Sequence, residues 1–508
     1  MRVQRRTAAS TAALALTGLI ATTLAAAPAE AKNPNSAKKL AQAVTTDGVM
    51  RHLEALQGIA DANDGNRGAG TSGYEASGAY VEQQLRAAGY EPTRQYFDFF
   101  FEHINETSLT EVSPGTGPIE NRPMSYSQPT PAGGVTGELA APSASALGCD
   151  AAAYGGANLD GKIAIVSRGS CPFAAKAAAA YQVGAEAVII YNNQAGALNG
   201  TLGGVDPNTA PATGTTQEVG QGLLAKMANG PVTVKFVLDK DMEVRQTFNI
   251  TAETKTGSAD NVVMMGAHLD GVHDGPGIND NGSGSAAILE TAVQLGKVNK
   301  VNNKVRFAWW GAEELGLLGS EHYVNDLVAN HPDELAKIVT YLNYDMVASP
   351  NYIIGVYDAN QSTYPAPAGV NIPEGSIQTE KILTDYFDSI GQPWVDTAFS
   401  GRSDYADFIA NGVSASGLFT GADGTKTEAE VELFGGTAGI TYDPNYHSPA
   451  DDITNINTEA LGIMSKAIAY STGVLAYDTS MINGKRSAGK SGKPHPKKPV
   501  VAPGEAAA

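Results

Sequence analysis

The chain has 508 residues, of which 42 % are hydrophobic and 17 % charged, with a formal net charge of −19. That length exceeds one ordinary core and predicts two domains with flanking segments, and the composition excludes a mainly disordered chain. The flanks are basic, so the body between them is more acidic than the whole, which argues against nucleic acid as a partner and fits attraction of a cationic ligand such as an amine or a metal ion.

Residues 1–31 read as an export signal. Arg2, Arg5 and Arg6 precede an apolar run from Ala13 to Ala27, and Ala29-Glu30-Ala31 offers small residues for cleavage. The run is too short for a membrane span, so the expectation is a secreted, extracellular protein with no membrane partner. Apolar spacing then predicts a helix over 45–62 and another from Tyr74 to Ala88 that stops at Gly89. Asn66 to Gly73 between them is a turn-rich loop, and the aromatic run Tyr96–Phe101 predicts a buried strand.

From 111 to 246 the composition shifts toward Pro, Gly, Ser and Ala with short β-patterned pieces, as expected of an inserted domain. Strands are predicted at Gly161–Val166 and Ala187–Tyr191, with an Ala-rich helix at Phe173–Gly184. Cys149 and Cys171 are the two cysteines of the chain and are expected to pair as a disulfide in an oxidising compartment. From 247 strand–loop–helix repeats begin. Strands are predicted at Val262–Ala267, Val305–Trp310, Ile338–Leu342, Tyr352–Val356 and Ala415–Phe419, with helices at 284–296 and 379–390. That alternation predicts an α/β domain with a mixed, largely parallel sheet, whose ligands sit at the carboxyl ends of strands. Residues 484–508 are rich in Lys, Pro, Gly and Ala and are expected to form a disordered basic tail.

Five acid and His positions fall after strands or ahead of helices. His268 ends one strand, and Asp280 lies in the Gly-rich loop Gly275–Gly284. Glu313-Glu314 and Asp345 follow two further strands, and His447 lies in a late loop. The Gly-rich loop lacks the Lys-Ser/Thr of a phosphate cradle and is acidic. Zinc takes imidazole and carboxylate ligands, about four to an ion. Two His and three carboxylates exceed one such ion and suit two if a carboxylate bridges, for which Asp280 is the candidate. Two ions about 3.5–4 Å apart can clamp a water and a carbonyl. Of Glu313 and Glu314, one can bind metal while its neighbour stays free as a proton carrier. Asp270 could accept the free N–H of His268 and fix its tautomer. Of the remaining histidines, His52, His103, His322, His331 and His495 read as structural or surface residues, and His273 as a rim residue.

The runs Gly266-Ala267-His268-Leu269-Asp270, Pro276–Gly284, Trp310–Ser320, Asn343-Tyr344-Asp345-Met346, Ser400–Tyr405 and Tyr442–His447, with Gly65-Asn66-Arg67 upstream, resemble the secreted bacterial leucine aminopeptidases among the clan MH zinc exopeptidases. The resemblance covers about 45–110 and 247–480. It implies a three-layer zinc-exopeptidase domain over 32–110 and 247–483. One zinc would be held by His268 and Asp345 and a second by Glu314 and His447, with Asp280 bridging. Glu313 would be the general base, Tyr446 would hydrogen-bond the oxyanion, and Arg402 would help fix the substrate. Peptide or protein N-termini would be the substrates, with large apolar residues such as Leu preferred. Where relatives carry a small disulfide around the Tyr-His pair, Asn445 and Ala450 stand here, so that bridge is lost. Residues 111–246 resemble a protease-associated domain through Leu159–Ala164, Arg168–Phe173 and Gly184–Val188, which implies a β-rich module for lid or substrate access without catalytic residues.

A monomer with two zinc ions is expected; calcium fits the acidity, but no calcium motif is visible. The same fold could instead carry carboxypeptidase or glutaminyl cyclase chemistry, the cyclases of this fold resembling one-zinc enzymes. A receptor-like binding module with a dead site is a third reading, which the presence of all five ligands disfavours.

Overall fold

The computed structural model describes residues 35–483 apart from Asn299 and Ala368. The expected export signal and basic tail lie outside the described residues. Among the described residues no helix is long and apolar enough to cross a membrane.

The larger part, outside the insert, is a sheet between two helical layers. Its central strands run in the order Ser414–Phe419, Ile338–Tyr344, Ser258–His268, Asn303–Trp310. The neighbours in that run are parallel. Alternation along each strand divides the core in two. Val263, Met265, Phe307, Trp309 and Leu342 face one helical layer. Met264, Ala308, Trp310 and Tyr341 face the other. This is the period-two pattern of a sheet covered on both faces.

The first layer holds Thr46–Asp61, Ser72–Ala87, Gly284–Leu295 and Thr458–Tyr477. The first begins within a residue of the expected start, and the second begins two residues early, at Ser72 inside the expected loop, because Thr45 and Thr71 cap them by accepting from Gly48 N and Tyr74 N. The opposite layer includes Leu318–Asn330 and Ala406–Ala410. The strand expected at Tyr352–Val356 is shorter and later, Gly355–Tyr357.

The aromatic run extends further than its composition suggested. It opens a 21-residue strand, Thr93–Ser113, and only Phe97, Phe99 and Phe101 turn inward. Tyr96 lies on the outer face with 53 % of its surface exposed, so this is a one-sided strand and not a fully buried one. It pairs antiparallel along nearly its whole length with Thr233–Glu253. One end of this ribbon joins the central parallel sheet at Arg306–Trp309. The other end joins Val135–Ala140, and the sheet continues through Lys162–Ser167, Ala187–Tyr191 and Ala212–Thr215 to Arg122–Pro123. The inserted module therefore shares one continuous sheet with the larger part, and the boundaries read at 110/111 and 246/247 fall inside ribbon strands.

Cys149 and Cys171 are joined in a disulfide inside the module. Buried Lys176 supports it by donating to the Leu147 carbonyl at 2.6 Å. Closing a loop over a separation of 22 residues constrains the unfolded chain, so replacing both cysteines by Ser is expected to cost roughly 2–4 kcal/mol. Thermal unfolding of the double variant, followed by tryptophan-independent far-ultraviolet signal, checks this.

Candidate metal centre

Three adjacent parallel strands deliver their next residues to one place. His268 ends the first, Glu313 and Glu314 follow the second after Trp310, and Asp345 follows the third. Asp280 arrives from the distorted turn Ile278–Ser283 at the start of the buried helix Gly284–Leu295. Gly277, at φ 61°, allows the sharp entry to that turn. A Cβ on Gly284 would lie 2.1 Å from the Tyr344 carbonyl oxygen, so glycine lets the helix approach the strand that carries Asp345. His447 comes from the late loop, itself in the left-handed region at φ 54°.

The side chains converge closely. Asp280 presents its two oxygens to different imidazoles: Oδ1 lies 3.3 Å from His268 Nε2 and Oδ2 lies 3.2 Å from His447 Nε2. His268 Nε2 is also 3.3 Å from Asp345 Oδ1, and His447 Nε2 is 2.9 Å from Glu314 Oε2. Glu313 Oε2 stands farther off, 3.9 Å from His268 Nε2. All five expected ligands and Glu313 are thus brought together. Tyr446 stacks on His447 with ring centroids 3.8 Å apart, and its hydroxyl is 3.4 Å from Arg402 Nη2. Arg402 is more exposed and pairs with Asp423 at 3.2 Å.

The electrostatics ask for a cation. Burial pushes the Glu314 carboxyl up to about 8, Asp280 adding to the rise and His447 opposing it. Burial also raises Glu313 well above the usual carboxylate range; His268 opposes, and Asp345, Asp404 and Glu314 reinforce. Burial disfavours charge on His447, yet Asp280 and Glu314 lift it to about 10. Glu314 Oε1 is buried with no hydrogen-bond partner among the described residues. Two imidazoles, several crowded carboxylates and an orphaned oxygen are a donor set that fits zinc.

The supporting contacts differ from expectation at Asp270. His268 Nδ1 donates to the Asp270 main-chain carbonyl at 3.0 Å, while the carboxylate Oδ1 is 3.8 Å away. The carboxylate is held instead by the Glu313 and Glu314 amides, at 3.2 and 3.3 Å. The backbone beyond His268 thus presents the Asp270 carbonyl and not its carboxylate to the ring. Asp270 therefore positions both glutamates, with Ala312 ahead of them in the left-handed region at φ 58°. Asp270→Asn should weaken metal affinity by roughly 10–100-fold. Equilibrium competition with a chelator measures this, and an unchanged affinity would contradict the role.

Other contributors went unread in the sequence. Fully buried Arg67 donates to the carbonyls of Pro276, Leu269 and Gly277, fastening the loop between His268 and Asp280. Asp451 accepts the Asn279 and Asp280 amides, each at 2.9 Å. A chain runs from Trp310 Nε1 to Tyr341, Asn343, Ser403 and finally Asp345 Oδ2, in steps of 2.8, 2.8, 2.7 and 2.6 Å. The signals were present but faint: a lone Arg in a Gly-rich loop, an Asp pair after His447, and a Ser within the quoted Ser400–Tyr405 run. Away from the centre Asp358, Glu380 and Asp396 also cluster, but main-chain amides of 359–364 occupy the first two.

His and carboxylate donors at neighbouring carboxyl ends of a parallel sheet define a metallohydrolase centre. Residues 249–472 match peptidase family M28, and residues 135–223 match the PA domain. "Probable lipoprotein aminopeptidase LpqL" of Mycobacterium tuberculosis is 45 % identical over 444 residues, 87 % of each chain. "Probable leucine aminopeptidase 2" of Trichophyton verrucosum is 43 % identical over 83 % of this chain and 82 % of its own. Among solved structures, the aminopeptidase from Aneurinibacillus sp. strain AM-1 superposes with a TM-score of 0.67 at 27 % identity, over 87 % of this chain and 96 % of that one. The zinc aminopeptidase of Bacillus subtilis gives 0.58 at 25 % identity, over 86 % and 96 %. The chain belongs to peptidase family M28, with a PA domain inserted in it, and is a zinc-dependent aminopeptidase acting on peptides. The cyclase and receptor-like readings fall away.

Proposed function

We propose that the protein is a secreted two-zinc aminopeptidase that removes large apolar, Leu-like residues from peptide N-termini. The observation that carries the two-ion reading is Asp280, whose two oxygens face His268 and His447 separately. His268 and Asp345 would hold one zinc and Glu314 and His447 the other, with Asp280 between them. When bound, the ions supply Lewis acidity toward the scissile carbonyl and make a water nucleophilic at neutral pH.

The chain's own groups do the rest. Glu313, near the centre but set back from the imidazoles, takes the proton of the attacking water and returns it to the leaving amine. The Tyr446 hydroxyl donates to the carbonyl oxygen as charge develops there. Arg402 beside it orients the substrate backbone. The surplus of carboxylates attracts the substrate ammonium and favours an N-terminal amine over a blocked one.

Export is supported by the N-terminal pattern and by the disulfide. The Leu preference is supported by likeness to the Trichophyton relative, a probable leucine aminopeptidase. We divide the chain into 1–31 as signal, 32–110 and 247–483 as catalytic domain, 111–246 as protease-associated domain and 484–508 as tail, with a monomer as the working unit. Hydrolysis of a panel of amino-acid p-nitroanilides tests the preference: Leu should exceed Gly, Asp and Lys in kcat/KM by at least about tenfold, and a flat or charged preference would overturn it. Removing metal with 1,10-phenanthroline should abolish turnover and lower Tm, and zinc should restore both. Calorimetry with and without chelator reads the second effect.

A further inference from the structure

The ribbon brings groups to the metal centre that the proposed chemistry does not use. Thr233–Glu253 pairs with the strand ending at Trp310 only over residues 250–253, Ile250 lying opposite Trp309. Residues 245–249 therefore run on past the carboxyl end of that strand, the side where Glu313 and Glu314 sit. Thr93–Ser113 follows alongside, with Phe99 opposite Arg245 and Phe101 opposite Glu243. Phe97, Phe99 and Phe101 pack with Ala69, Ala312, Leu315 and Leu318, so the ribbon leans directly on the Glu313 loop.

Three nitrogen-bearing side chains gather on the Phe101 ring. The Arg245 guanidinium carbon lies 3.4 Å from the ring centroid. The His273 ring is 4.8 Å away and the His103 ring 6.4 Å. His273 belongs to the loop between His268 and Asp280, and Gly275 of that loop abuts Ser448 next to His447. The group thus stands on the rim of the metal centre. His273 Nε2 is buried and makes no hydrogen bond among the described residues. Arg245 uses Nε on Glu243 Oε1 at 2.6 Å, while its terminal nitrogens make no hydrogen bond among the described residues. The carboxylates nearby, Glu243 and Asp274, are both exposed. An ion pair that open is weak and exchangeable. Stacking holds the guanidinium flat and leaves its edge for a planar anion, and a fork of two N–H groups matches a carboxylate.

We propose that Arg245, with His273 and His103, forms a subsite for a carboxylate downstream of the scissile bond; this rests on the aminopeptidase reading of the metal centre. Five residues at about 3.3 Å each put Arg245 roughly 16 Å beyond the level of Trp309, within reach of an extended peptide of about four or five residues. The carboxylate could be the peptide's own C-terminus or an acidic side chain.

The test compares zinc-loaded wild type, Arg245→Gln and Arg245→Lys. The substrates are Leu-Gly-Gly-Gly against its C-terminal amide, Leu-Gly-Gly-Glu-amide against Leu-Gly-Gly-Gln-amide, and leucine p-nitroanilide as reference. Wild type should favour the carboxylate member of a pair by about tenfold in KM, the effect of one charge-assisted hydrogen bond. The first pair responding identifies the terminal carboxylate, the second the side chain. The preference should vanish in Arg245→Gln and shrink in Arg245→Lys, with anilide hydrolysis unchanged in both. Equal KM within both pairs for a wild type that cleaves the anilide, or a preference that survives Arg245→Gln, overturns the subsite alone. A wild type that cleaves neither anilide nor peptides overturns the aminopeptidase reading and the subsite with it.

Discussion

Glu313→Gln should retain the full zinc content and lose roughly 10²–10⁴-fold in kcat. The substitution keeps the side chain's shape and removes only its capacity to take a proton. Glu313 Oε2 stands 3.9 Å from His268 Nε2, farther than the oxygens of Asp280 and Asp345 at 3.3 Å, so on the proposed reading it would stand beside a bound ion as a free base. Its backbone is anchored to Asp270, as is that of Glu314, so the variant should leave the ligand in place. Glu314→Gln should behave differently, losing metal as well as turnover. Metal analysis alongside leucine p-nitroanilide kinetics separates the two. If Glu313→Gln loses zinc while Glu314→Gln keeps it, the roles are reversed.

The second large effect is expected at Arg67. Its guanidinium is fully buried and donates to three carbonyls in the loop between His268 and Asp280. Burial lowers its pKa to about 10, with Asp270, Asp451, Asp280 and Glu314 opposing the fall, so it remains charged at neutral pH. Arg67→Ala would strand those acceptors and leave the acids without their counter-charge. A loss of about 3–5 kcal/mol is expected, the cost of breaking a buried charged network from one side. Arg67→Lys should rescue little, because one ammonium cannot span Pro276, Leu269 and Gly277 together. Denaturant unfolding of the two variants measures this; a loss below about 1 kcal/mol for Arg67→Ala would contradict the clamp.

The catalytic strands were legible because each is covered on both faces and reads as a short apolar run. Ile338–Tyr344 is buried at every position and was found nearly to the residue. Three of the candidate ligands stood out for a related reason: His268, Glu314 and Asp345 lie where those strands end and the apolar pattern breaks into acids and His, whereas Asp280 and His447 come from loops. The ribbon was harder. Its strands continue from the catalytic sheet into the inserted module, and beyond Phe101 the Thr93–Ser113 strand is largely exposed with little apolar alternation to mark it. The residues behind the ligands were harder still. Arg67 acts through groups 202–210 positions away along the chain, Asp451 through groups 171 and 172 away and Ser403 through groups 58 and 60 away, and nothing local in the sequence announces such a partner. Asp270 illustrates the same limit at short range, since its proximity to His268 was readable but the exchange of carbonyl for carboxylate beneath the ring was not.

The central claim is a pair of ions bridged by Asp280, and anomalous diffraction at the zinc absorption edge from crystals of the zinc-loaded protein tests it most directly. The account predicts two peaks about 3.5–4 Å apart, one beside His268 and Asp345, the other beside Glu314 and His447, with Asp280 between. A single peak, or a peak ligated by Glu313, would contradict it.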